Sequence, residues 1–178
     1  IVYFLIRMIG ILPRRFLQTV GRFLGLILFY ARSESRRITA LNLARCFPNA
    51  TALSNHQLAR DSLIATSQTA LETPAVWCKD SKHLLTWIDM QYGKEHLEAA
   101  LSSEKGILLL VPHIGNWELY NAFYSETIGQ LTALFKPPKQ KAMARIIERV
   151  RMRYGNDMVP TTPRGLARLF KVLKQGGT

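Results

Sequence analysis

Ile107-Leu108-Leu109-Leu110-Val111-Pro112-His113-Ile114-Gly115-Asn116-Trp117-Glu118 is the stretch that decides the fold of this 178-residue chain. Five apolar residues in a row, without polar alternation, are the pattern of a strand covered on both faces in a parallel sheet. Pro112 ends the run, and a helix is predicted over residues 117–128. A second short strand follows at residues 131–135, then the basic loop Lys136-Pro137-Pro138-Lys139. Met143, Ile146, Ile147, Val150 and Tyr154 then recur at helical spacing, with Gly155 as a natural C′ residue. A third strand is predicted at residues 157–159 and a last helix from Pro163 or Arg164 to about Gln175. Strand and helix alternate from residue 107 onward, so the expected class is α/β, a mixed or parallel sheet with flanking helices. The last helix runs into Gly176-Gly177 where another strand is expected, so the sheet reads as cut short on its C-terminal side.

Toward the N-terminus the pattern becomes helical. A helical stretch is expected over residues 93–101, while residues 77–93 carry no secure periodicity. Ser54 to Gln57 has the S-x-x-Q form of a capping box, opening a helix that Pro74 should terminate. Residues 32–46 read as a basic helix stopped by Phe47-Pro48-Asn49. Residues 1–31 form an apolar segment broken by Pro13, read as an N-terminal membrane anchor ahead of a second domain over residues 32–178. The first residue is Ile1 and not Met, so a fragment at both ends is expected.

The charge distribution narrows the partners. The chain carries 24 Lys+Arg against 12 Asp+Glu, a formal charge of +12, with 48% hydrophobic residues. That apolar fraction excludes intrinsic disorder. By segment the charge is +7 over residues 1–50, −2 over 51–100, +2 over 101–150 and +5 over 151–178. An excess of this kind implies an anionic partner: nucleic acid, an acidic protein or a phospholipid surface. Arg7, Arg14, Arg15, Arg22, Arg32, Arg36 and Arg37 are interleaved with runs as apolar as residues 23–30, which is unlike a nucleic-acid tail. The longest charge-free run there, residues 23–31, falls short of the roughly 18 apolar residues of a transmembrane helix. An arginine-flanked anchor in the cytoplasmic leaflet fits, lying in the interface or inserting with its arginines at the headgroups. An ordinary core helix is the alternative. Arg22 interrupts the apolar stretch and no small-residue cleavage site follows, which argues against a signal peptide. Two cysteines, Cys46 and Cys78, cannot build a disulfide framework, and no Cys/His spacing suits a metal.

The chemistry concentrates at His113. In open α/β sheets ligands gather at the carboxyl ends of strands, where this histidine falls. A carboxylate five residues on, Glu118, can return beneath the imidazole if the chain turns from strand into helix. It would accept one ring N–H, fix the tautomer and stabilise the imidazolium. No G-x-S-x-G elbow occurs and neither cysteine lies near His113 in sequence, so the base would activate a hydroxyl of the substrate. Gly115 would allow close backbone approach, and N–H groups at the helix start could hold a developing oxyanion. A structural histidine at a strand end is the plainer alternative.

Several segments, in order, resemble one family. His113 to Glu118 resembles the HGNWE-type form of the H-x4-[DE] motif of the lysophospholipid-acyltransferase superfamily, in its lipid A biosynthesis lauroyl/myristoyl acyltransferase branch. Residues 37–48 resemble its R-x4-N-L-x2-C-F-P segment, and residues 134–138 its Y-R-P-P loop, with Lys136 where arginine is usual. Residues 151–155 resemble R-x-R-x-G, and residues 165–177 the helix ending in L-K-x-G-G.

The resemblance implies an O-acyltransferase with a glycerolipid-acyltransferase-like fold, and a family length well beyond Thr178. His113 would be the general base and Glu118 its orienting carboxylate, with Gly115, Asn116 and Trp117 shaping the site. Lys136, Arg153 and Arg164 are the candidates for phosphates of the acceptor or the donor's phosphopantetheine. The arginine-to-lysine change at 136 keeps the charge and loses bidentate geometry. No metal or cofactor is implied beyond the acyl-carrier-protein thioester as co-substrate. The implied partners are acyl-carrier protein, a lipid A precursor and membrane phospholipid, without nucleic acid, at the cytoplasmic face of the inner membrane. A glycolipid or lysophospholipid acceptor with an acyl-CoA donor, or a non-catalytic membrane-binding module, are the other readings.

Overall fold

A computed structural model describes residues 2–178; Ile1, the first residue of the expected anchor, lies outside them. The chain divides into two compact units, Phe4–Cys78 and one built from Lys79–Thr178.

The first unit is helical. The expected anchor is two helices, α1 (Val2–Gly10) and α2 (Arg14–Tyr30), because Pro13 has no N–H to continue α1 and takes the N-cap position of α2. Among the described residues no helix is long and apolar enough to cross a membrane. Helix α3 (Glu34–Cys46) is the basic helix, its first turn capped by Ser33, whose hydroxyl accepts the Arg36 N–H at 3.2 Å. Helix α4 (Ala52–Cys78) departs from expectation at both ends. It opens earlier, with the Thr51 hydroxyl accepting the Ser54 N–H at 3.1 Å. It also runs through Pro74, because Ala75 and Val76 beyond it are fully buried and hold the last turn in place.

Helices α2 and α4 pack backbone to backbone. A Cβ on Gly21 would lie 2.6 Å from the Gln68 Cα, and one on Gly25 2.5 Å from the Ile64 Cα. Such contact needs glycine on one side, since any side chain would push the helices apart. Phe29, Ala59 and Leu63 form the core beside this crossing, covered by Leu43 of α3. Glu72 is buried there and accepts from Arg14 Nε at 3.1 Å and Gln18 Nε2 at 2.8 Å.

The second unit carries the sheet. Its elements are α5 (Ser81–Leu85), α6 (Lys94–Leu101), α7 (Glu118–Thr127), β1 (Thr132–Phe135), α8 (Lys141–Met152), β2 (Asp157–Pro160) and α9 (Pro163–Lys174). Strands β1 and β2 pair in parallel, Thr132 opposite Asp157 and Phe135 opposite Pro160. The α/β class therefore holds coarsely: the chain is mostly helical around a small parallel sheet. Gly155 (φ 74°) makes the left-handed turn between α8 and β2. Asn156, buried next to it, accepts the Leu131 N–H at 3.2 Å and ties the start of β1 to that turn.

The expected strand at residues 107–111 does not form. The segment joins no ladder, and Leu110 is 86% exposed. The reason lies in its neighbours. Ile107 N–H donates to the Gly177 carbonyl at 3.1 Å, and Thr132 N–H donates to the Thr178 carbonyl at 2.8 Å. Residues 177 and 178 thus hold the starts of both segments apart, and beyond them residues 108–111 and β1 line opposite sides of an open groove. An apolar run becomes a strand only when a ladder satisfies its backbone groups.

Candidate active site

The motif sits on a turn, as expected. Ile114 N–H donates to the Pro112 carbonyl at 2.8 Å, Gly115 takes φ 59°, and Trp117 caps α7 so that Glu118 begins it. A carboxylate in the first helical turn is favoured there by the helix dipole. A Cβ on Gly115 would meet no atom within 4 Å. Glycine is required at this position for its left-handed backbone, and close approach by neighbouring backbone is not the reason.

His113 is exposed, and its ring lies 4.6 Å from that of Trp117. Glu118 is buried and faces away from solvent. Its Oε1 pairs with Arg151 Nη2 at 2.6 Å, and its Oε2 accepts from Asn121 Nδ2 at 3.5 Å. Among the described residues His113 and Glu118 share no hydrogen bond. Trp117 stands between two groups of the motif: the Arg151 guanidinium lies 4.9 Å from its ring centre and 5.1 Å from that of Phe135. The order in space is therefore His113, Trp117, Arg151, Glu118, with the indole touching both the imidazole and the guanidinium.

His113, Trp117, Lys136 and Arg151 line one apolar cavity of about 890 Å³, whose walls are residues 107–111, β1 and the inner face of α9. A histidine and two cations at a mostly apolar groove can receive an amphiphile, with the apolar chain along the groove and the polar end among the charges. Asn116 faces elsewhere. It lines a second cavity of about 620 Å³ with Leu97, Ile107, Leu109, Leu119 and Phe123. Both atoms of its amide are buried without a hydrogen-bond partner.

The remaining expected cations lie apart from this cluster. Arg153 is exposed, donates to the Lys79 carbonyl at 2.8 Å and stacks on Tyr154 at 4.8 Å, so it closes a loop and does not line the cavity. Arg164, in the first turn of α9, is exposed and lines neither cavity. Arg151 is the residue that sequence reasoning passed over for Arg153. One signal was available: Arg151 lies four residues after Ile147, on the apolar face of α8, where an arginine needs a buried partner. No three His, Cys, Asp or Glu side chains converge among the described residues in a way that could hold a metal.

Comparison with known proteins bears on the whole chain. The family model described as bacterial lipid A biosynthesis acyltransferase matches residues 1–178. A protein of Haemophilus influenzae named lipid A biosynthesis acyltransferase is 24% identical over 157 residues, which covers 87% of this chain and 48% of that protein. The chain thus spans about half the length of the curated relative it matches.

Proposed function

The chain belongs to the bacterial lipid A biosynthesis acyltransferase family, and we propose that it carries the catalytic base of an O-acyl transfer from acyl-carrier protein to a hydroxyl of a lipid A precursor. The observation that carries this reading is the cavity: one exposed imidazole and two cations at a groove lined mostly by aliphatic and aromatic side chains. A long acyl chain fits the groove, and an anionic headgroup or phosphopantetheine fits the cations.

His113 takes the proton from the acceptor hydroxyl as its oxygen attacks the thioester carbonyl. The tetrahedral intermediate then expels the thiolate, which recovers the proton from the imidazolium, leaving an ester and free carrier thiol. The cation of Arg151 and the N–H groups at the start of α7 stabilise the oxyanion. Glu118 acts on His113 through the groups that lie between them: it holds the Arg151 guanidinium against the Trp117 indole, on which the imidazole rests. Lys136 binds phosphate as a point charge. The basic excess suits acyl-carrier protein, the lipid A precursor and an anionic membrane alike, so the reaction belongs at the cytoplasmic face of the inner membrane. The fold is then that of the glycerolipid acyltransferases, with residues 1–31 as a membrane-associated segment.

The test is acyl transfer by the whole protein in membranes, with acyl-carrier-protein thioesters and a lipid A precursor. His113→Ala should lower turnover by about 10²–10⁴-fold, the range of a lost general base. Full turnover by that variant would sink the mechanism.

A further inference from the structure

The base of the proposed reaction has no orienting hydrogen bond. His113 is exposed and makes none among the described residues, and Glu118, five residues on, is committed to Arg151 at 2.6 Å and to Asn121 at 3.5 Å. An imidazole free to turn about two side-chain torsions is seldom aimed at a hydroxyl, and a misplacement of about 1 Å can cost about 10²-fold in rate. What touches the ring is the Trp117 indole, 4.6 Å away between centres and inclined by 58°. Tilted aromatic pairs at this separation attract each other.

The turn before α7 brings the two rings together. The Ile114 N–H donates to the Pro112 carbonyl at 2.8 Å, and Gly115, at φ 59°, swings the chain round so that Trp117 arrives under His113. The indole is itself steadied. Its backbone is already helical, at φ −60° and ψ −18°, which fixes the direction in which the side chain leaves α7. The Arg151 guanidinium lies 4.9 Å from its ring centre and 5.1 Å from that of Phe135 in β1, and the bond to Glu118 keeps it there. Three elements, α7, α8 and β1, thus hold one aromatic face against the base.

Resting on the acyl-transfer reading above, we infer that Trp117 is the positioning residue of His113: its indole, steadied by Arg151, orients the imidazole in place of the carboxylate hydrogen bond that the spacing of the motif suggests.

The experiment uses the whole protein with acyl-carrier-protein thioesters and a lipid A precursor. Trp117→Leu should lower kcat by about tenfold to a hundredfold and leave KM within about twofold of the parent. Trp117→Phe, which keeps an aromatic face, should recover most of that loss. A raised KM at unchanged kcat makes Trp117 a wall of the substrate groove and overturns the inference, as does full turnover by Trp117→Leu. In a His113→Ala background no ring is left to orient, so adding Trp117→Leu should change the residual turnover by less than about twofold. An undiminished second loss shows that Trp117 acts elsewhere and overturns the inference too.

A readout without turnover comes from magnetic resonance of ring-labelled histidine, the His113 signal being the one lost in His113→Ala. The indole ring current should displace that signal in the parent, and Trp117→Leu should return it toward the value of free histidine while the other histidine signals stay in place. An undisplaced His113 signal in the parent overturns the positioning alone. A displaced signal in a parent that transfers no acyl chain overturns the transfer reading, and this inference with it.

Discussion

Arg151 and Glu118, 33 residues apart, meet in a buried ion pair of 2.6 Å, their side chains 13% and 7% exposed. The pair fastens the end of α8 to the start of α7 and so fixes the wall of the cavity on which His113 lies. Removing one partner strands the other charge in a dry site. Arg151→Ala should therefore destabilise the fold by about 3–5 kcal/mol, whereas Arg151→Met with Glu118→Gln should recover much of that loss. Denaturant unfolding of the three proteins gives the comparison; Arg151→Ala as stable as the parent contradicts the pairing.

His113 is exposed and makes no hydrogen bond among the described residues, so its role in transfer should separate from any role in stability. His113→Ala should keep the unfolding free energy within about 0.5 kcal/mol of the parent while turnover collapses. A large fall in stability would instead make it a structural residue.

The contact between α2 and α4 allows no side chain at two positions. Gly21→Ala or Gly25→Ala places a Cβ within 2.6 Å of backbone on α4, and separating the helices should cost about 1–3 kcal/mol in each case. Gly115→Ala meets no such obstacle and tests only the backbone: with φ 59° it should cost about 1 kcal/mol. Thermal unfolding should lower the midpoint more for Gly21→Ala and Gly25→Ala than for Gly115→Ala.

Burial raises the phenol of Tyr120, with a smaller push from Tyr124, and burial likewise raises that of Tyr154 against the opposing pull of Arg153. A phenol whose folded value lies above its unfolded one stabilises the fold fully below the unfolded value near 10 and loses that contribution as the pH rises through the folded value. Absorbance titration should therefore show the phenols of Tyr120 and Tyr154 ionising later than a free tyrosine, and Tyr120→Phe should remove one of these late transitions. Ionisation of Tyr120 and Tyr154 near pH 10 would contradict the burial.

Much of this was legible in the chain itself. The periods that mark α8 and α9, the glycine after α8 and the apolar run of β1 are local patterns, and local hydrogen bonding honours them. The motif's position between an apolar run and a helix, and the ordered matches to one family, needed no coordinates either. Three readings that depended on a distant partner failed. Residues 107–111 have the composition of a strand and lack the ladder. Pro74 should end a helix, yet tertiary burial of Ala75 and Val76 holds the turn beyond it. Arg153 and Arg151 look alike in sequence, and only the packing of α8 against α7 aims one at Glu118 and the other at the Lys79 carbonyl.

By itself, then, the sequence determined most of the helices, the turn that carries His113 and the family to which the chain belongs, because those depend on periodicity and on residues close in the chain. Only the tertiary structure decided that Glu118 answers to Arg151, that α2 meets α4 across its glycines, and that an apolar run lies open along a groove. Each of these is set by which surfaces meet across long stretches of chain, and burial, unlike periodicity, is a property of the pair.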